Sequence, residues 1–230
     1  MERLVLRATG QAVAGQAETG QGAAGPPGAV PSRGGNGLRR VTRDDWLLAG
    51  FALLAAEGAG ALTPARLAAA TGAPQLRFFW QFRTSEAFEA ALLTAWQALA
   101  LRPLAASPGA EAARAQLEEL AIGGASAPPG AEALEQAIRA WARQAPQARA
   151  ALAKVDQHRL AGLSQLISRA GVSGARARER AAVLYAAGLG FDALRSSLGM
   201  AGAAPMQALS GAIFGGRSAT GQAGRDHGQA

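Results

Sequence analysis

Arg77, Trp80 and Gln81 sit within ten residues, APQLRFFWQF (73–82), where four side chains are aromatic although aromatics make up only 5% of the chain. Projected at 100° per residue, Phe78, Phe82 and Gln75 fall on one side of a helix, with Phe79 on its flank. Leu76, Arg77, Trp80 and Gln81 fall on the other. With Phe78 and Phe82 turned to a core, the opposite side presents a guanidinium, a carboxamide and two apolar side chains. An arginine there suits a guanine edge or a phosphate and a glutamine suits a base edge, while Leu76 and Trp80 suit thymine methyls or sugars. The same spacing also allows a plainer arrangement, with Leu76 and Trp80 packed on a neighbouring helix and Arg77 solvated.

Other chemistry is sparsely represented. His158, in KVDQHRL (154–160), has Lys154, Val155, Ala161 and Gly162 as its helical neighbours, and none of them could share a metal or a proton with it. Asp156 and Arg159, one turn apart, read as a surface or interface ion pair. The chain has no cysteine, which excludes disulfides, thiolate metal sites and cysteine nucleophiles. No nucleophile–base pair, metal cluster or phosphate loop is present, so neither enzymatic activity nor a cofactor is expected. Arg39, Arg40 and Arg43 read either as a solubilising linker or as an arm that follows phosphates or enters a minor groove. The net charge of +7 is spread unevenly. Residues 1–40 hold five Arg and two Glu, hence +3, and residues 41–101 hold four Arg and five acids, hence −1. The remaining 14 basic and nine acidic residues give +5, so the surplus is not centred on the aromatic stretch.

The elements that must position these side chains read as helices throughout. Thr42 is an N-cap, Asp45 completes a capping box, and Val41 can staple onto Trp46; a helical apolar stripe follows to Leu54, ended by Glu57-Gly58. A second, short helix repeats this grammar with Leu62, Thr63 as cap, Pro64 at the first position and Leu67, ending at Thr71-Gly72. The third is the aromatic stretch, and a fourth starts at Thr84 and runs to about Leu101. Two short helices joined by a glycine-containing turn make a helix-turn-helix unit, a spacing that also occurs in ordinary helical bundles. The longest apolar run, WLLAGFALLAA (46–56), is shorter than the roughly 20 residues a membrane span needs. With no signal-peptide pattern at the start, a soluble cytoplasmic protein with no membrane partner is expected.

Residues 46–96, WLLAGFALLAAEGAGALTPARLAAATGAPQLRFFWQFRTSEAFEAALLTAW, resemble the N-terminal DNA-binding domain of the TetR family of bacterial repressors. The resemblance lies in ALLAAEG, LTPARLAAATGA, FFWQF and SEAFEAALL, and extends more loosely to residues 137–163 and 178–190. It implies an all-α fold: an N-terminal three-helix helix-turn-helix domain followed by a helical ligand-binding and dimerisation domain. The expected boundaries are a disordered tail at 1–38, the DNA-binding domain at 39–84, the effector and dimer domain at 85–214, and a second disordered tail at 215–230.

The implied partners are a double-stranded DNA operator, a small apolar effector and a second copy of the chain. The DNA-facing set is Arg39, Arg40, Arg43, Thr63, Gln75, Leu76, Arg77, Phe79, Trp80, Gln81, Arg83 and Thr84. Four positions depart from the family pattern: Leu76 replaces a small residue, Phe79 a phosphate-touching tyrosine, Ser85 a basic residue, and Pro74 a serine or threonine cap. Trp96, Leu117, Leu120, Leu134, Ile138 and Trp141 are candidates to line an apolar effector pocket, although each also suits a core. Helices at about 146–169 and 175–198, the second rich in small residues (Ala186, Ala187, Gly188, Gly190), would form the dimer bundle or pack within the chain. The function expected is a homodimeric repressor released by its effector. The alternative is a helical ligand-binding or interaction protein that keeps the fold and has lost operator binding.

Overall fold

The computed structural model describes residues 41–101, 108–122, 130–172, 174–198, 208–209 and 211; Arg39, Arg40 and both expected tails lie outside them. Among the described residues there are eight α-helices and no strand, the all-α architecture expected. Helix α1 spans Arg43–Glu57. Its capping box forms as the sequence predicts: Asp45 N–H donates to Thr42 Oγ1 at 3.3 Å, and Thr42 N–H to Asp45 Oδ2 at 2.8 Å. Trp46, Leu47, Gly50, Phe51 and Leu54 form its buried face, spaced by one helical turn. Gly50 is required for close approach, because a Cβ there would lie 2.6 Å from Phe88 Cζ.

A 3-10 turn at Ala59–Ala61 leads into α2, Pro64–Thr71, whose cap Thr63 accepts from Arg66 N–H at 3.3 Å. Leu62 and Leu67, the expected staple pair, are both buried. Helices α3 (Gln75–Phe82) and α4 (Ser85–Ala100) follow. Rings knit α1, α3 and α4 together. Trp46 meets Phe78 edge-on with centroids 5.6 Å apart, Phe78 lies 5.3 Å from Phe88, and Phe82 meets Phe88 at 4.9 Å.

The remaining helices are α5 (Gly109–Ile122), α6 (Ala131–Ala142), α7 (Pro146–Arg169) and α8 (Ala175–Leu198). None of the described helices is long and apolar enough to cross a membrane. The chain divides into two compact units. The first holds α1–α4, α6 and α7 as far as Ala153. There α6 packs along α1, and Arg149 caps the end of α6 through Ala142 O (3.2 Å) and Arg143 O (3.3 Å). Gln97 Nε2 donates to Ala151 O at 3.0 Å, and Gln147 Nε2 to Glu89 Oε2 at 2.5 Å, tying α4 to the start of α7. Burial raises the Glu89 carboxyl above its ordinary range, with Glu86 adding to the rise and the Gln147 bond opposing it.

The second unit holds α5, α7 from Lys154, and α8. Its core joins Ala113 and Leu117 to Leu163, Leu166, Ile167, Ala177, Ala181 and Leu184. Tyr185 donates its hydroxyl to Asp156 Oδ1 at 2.7 Å, and Arg114 Nε donates to Ala170 O at 3.3 Å. A boundary at residue 84 follows chain order. The compact units instead place α4 and α6 with the helix-turn-helix, because α6 buries its apolar face there.

Candidate nucleic-acid interface

The turn between α2 and α3 is built by backbone geometry. Gly72 is left-handed (φ 67°, ψ 20°), its N–H bonds Ala69 O at 3.3 Å, and Ala73 N–H bonds Ala68 O at 3.2 Å, a Schellman closure that glycine favours. Pro74 then precedes α3 without a side-chain cap, its carbonyl accepting from Arg77 N–H at 2.9 Å. At the far end, Arg83 has φ 67° and ψ −48°, and Thr84 N–H bonds Phe82 O at 2.8 Å. Those values describe a γ-turn of the rare form, centred on a non-glycine residue. It reverses the chain within one residue and sets the angle between α3 and α4.

Within this frame the periodicity resolves as expected for the rings: Phe78 and Phe82 are buried, while Leu76 is 60%, Trp80 74% and Phe79 39% exposed. Arg77 and Gln81 are exposed beside them. Gln75, which the projection put on the core side, is exposed too, because it occupies the first position of α3 beyond the ring cluster. The structure thus brings Gln75, Leu76, Arg77, Phe79, Trp80 and Gln81 together on one short helix.

The polar residues around it have distinct partners. The Arg43 guanidinium lies 4.9 Å from the Phe82 ring centroid, a cation–π contact between the start of α1 and the end of α3. Neither the basic run nor the ring spacing revealed this, since the partners lie far apart in sequence. Thr63 accepts from Arg66 N–H and retains a hydroxyl donor. Thr84 accepts from Ala87 N–H at 3.1 Å and also hydrogen-bonds the Glu86 carboxyl. Glu86's own backbone N–H and then that hydroxyl hold its carboxyl below the usual range. Arg66 and Glu57 form a two-pronged ion pair, both contacts 2.6 Å. Residues 63–84 contain three arginines and no acid, a local +3 masked when charge is summed over 41–101. With Arg66 engaged by Glu57, Arg77 and Arg83 remain as exposed positive groups on this segment.

The six effector candidates are divided between the two compact units. Trp96, Ile138 and Trp141 are buried, and Leu134 is half-buried, in the first unit. Leu117 is fully buried in the core of the second, and Leu120 is exposed. On α8, Val183, Leu194 and Leu198 are exposed at spacings of 11 and four residues, close to whole turns of one helix face.

No protein-family model matches the chain, and a search of curated proteins finds no match. Among solved structures, that of E. coli NemR in its reduced form is similar, with 20% identity and a TM-score of 0.58 over 75% of this chain and 96% of that one. The likeness at this identity is one of fold. It covers nearly the whole of NemR and agrees with the helix-turn-helix built above, so the chain has the all-helical fold of TetR-like regulators.

Proposed function

We propose that this chain is a DNA-binding transcriptional regulator, a repressor, that sits as a homodimer on a near-palindromic operator and leaves it when a small apolar effector binds. The observation that carries the reading is α3, anchored by Phe78 and Phe82 and turning Arg77, Gln81, Leu76 and Trp80 outward from a segment free of acidic residues. In this reading each α3 enters the major groove at one half-site. Arg77 and Gln81 meet base edges, while Thr63 and Arg83 meet phosphates and fix the register. Arg43 acts by holding the end of α3 through Phe82, with Arg39 and Arg40 preceding it as an arm. The exposed stripe of α8 joins two copies.

The effector acts by favouring a state with a different separation of the two α3 helices, which requires that it bind the two states unequally. Trp96, Leu134, Ile138 and Trp141 share the unit that carries the helix-turn-helix and are the residues proposed to sense it. The solved NemR is described as a reduced form. These 230 residues contain no cysteine, so the release proposed here is reversible binding and not thiol oxidation.

A second reading is a ligand-binding protein of the same fold without operator affinity. The engaged Thr84 hydroxyl, Ser85, and a ring without a hydroxyl at Phe79 favour it. Selection of bound sequences from random DNA at low salt separates the two. The repressor reading expects an inverted repeat, bound with a log–log salt slope of about −2 from Arg83 of the two protomers, and steeper where Arg39 and Arg40 also meet phosphates. Absence of any enriched sequence, together with salt-insensitive uptake of apolar compounds, would establish the second reading instead.

A further inference from the structure

Leu76 and Trp80 are large apolar side chains that the fold leaves in water, one helical turn apart, with Arg77 next to the first. They cannot be hidden by rotating α3, because its other face is held by Phe78 and Phe82 against Trp46 and Phe88. An occupant of this face must therefore be apolar opposite Leu76 and Trp80 and anionic nearby, since residues 63–84 carry arginines and no acid. The major groove of duplex DNA meets both demands: its phosphates are anionic, and the thymine C5-methyl is the apolar group among the base edges displayed there. Sugars line the walls of the groove. They suit Phe79, on the flank of α3, better than Trp80, the most exposed large side chain at its centre.

We propose that Leu76 and Trp80 read the methyl groups of two thymines in each half-site, beside a guanine taken by Arg77. The spacing sets a limit. Side chains at i and i+4 are about 5–6 Å apart, and successive base pairs rise about 3.4 Å, so the two thymines lie no more than about two steps apart. This deepens the DNA-binding reading and rests on it.

The test starts from the operator recovered by selection and replaces each thymine by uracil in turn, which removes one methyl and leaves every hydrogen-bonding group. Binding is measured by fluorescence anisotropy. Uracil at two positions, within two steps of each other and of a guanine, weakens the native chain about 3- to 5-fold each, as expected for loss of one buried methyl. Leu76→Ala abolishes the sensitivity at one of these positions and Trp80→Ala at the other, with the remaining thymines unaffected. Both sites are exposed, so circular dichroism should show intact helices.

If every uracil operator binds the native chain within twofold of the thymine operator, the proposal is overturned. It is equally overturned if the two variants weaken binding without altering the thymine-to-uracil ratios. A change in sedimented mass in place of a change in operator affinity would reassign this face to a protein contact. Failure to select any operator is a different result, and it removes the DNA-binding reading itself.

Discussion

Phe79 shows how one atom separates the two functional readings. Its ring is 39% exposed on the flank of α3 and meets Phe78 edge-on, with centroids 5.4 Å apart at 88°. In the proposed DNA-binding reading, this ring stands where the resemblance expects a tyrosine whose hydroxyl meets a phosphate. Phe79→Tyr restores one neutral donor without disturbing the buried edge. A net hydrogen bond of about 0.5–1.5 kcal/mol predicts roughly 2- to 10-fold tighter binding per half-site, and the square of that for the dimer on its operator, at unchanged melting temperature. Unaltered affinity in an anisotropy titration would mean that no phosphate lies beside that ring. The outward placement of Arg77 and Gln81 was legible from periodicity, since a helix with two buried rings must turn the intervening residues outward. The cation–π contact of Arg43 with Phe82 was not, because spacing along one helix says nothing about a partner on another.

Helix ends and helix contacts obey different rules of legibility. The Thr42–Asp45 box, the Thr63 cap with Pro64, and the Gly72 closure all join residues within five positions of each other. Local chemistry alone dictates them. The γ-turn at Arg83 also spans few residues, yet neither arginine nor its neighbours favour positive φ. Packing of Phe82 and Phe88 on the two sides of the turn holds it. Gly50 belongs to the same class: in sequence it is one small residue in an alanine-rich stripe, and in the structure it is where α4 touches α1. Gly50→Ala would force a methyl into the Phe88 ring and Leu92. Overpacking should destabilise the chain by about 1–3 kcal/mol, despite the better helix propensity of alanine. Thermal unfolding measures this directly, and a melting point equal to or above the parent's would contradict so close a contact.

For the whole molecule, the question is what covers α8. Val183, Leu194 and Leu198 stand in water along one stripe of a helix that buries Ala177, Ala181 and Leu184 in the core shared with α5 and α7. A second copy of the chain is the proposed cover. Leu194→Arg places a charge in that interface without touching the core, and it should convert a dimer into a monomer by sedimentation. Operator affinity should fall at the same time, because one half-site alone no longer gains from its neighbour. A variant that stays dimeric with full affinity would place the interface elsewhere.

The sequence by itself determined the helices, their caps, the glycine turn and, Gln75 apart, the inward and outward faces of α3, because each follows from residue type and a period of 3.6. Tertiary structure decided that α6 packs on α1, that Leu117 is core while Trp96 and Trp141 belong to another unit, and that Arg66 is paired with Glu57. Those outcomes depend on which apolar faces meet across tens of residues of chain. Many pairings of alanine- and leucine-lined faces satisfy the same pattern, and only the packed fold selects one.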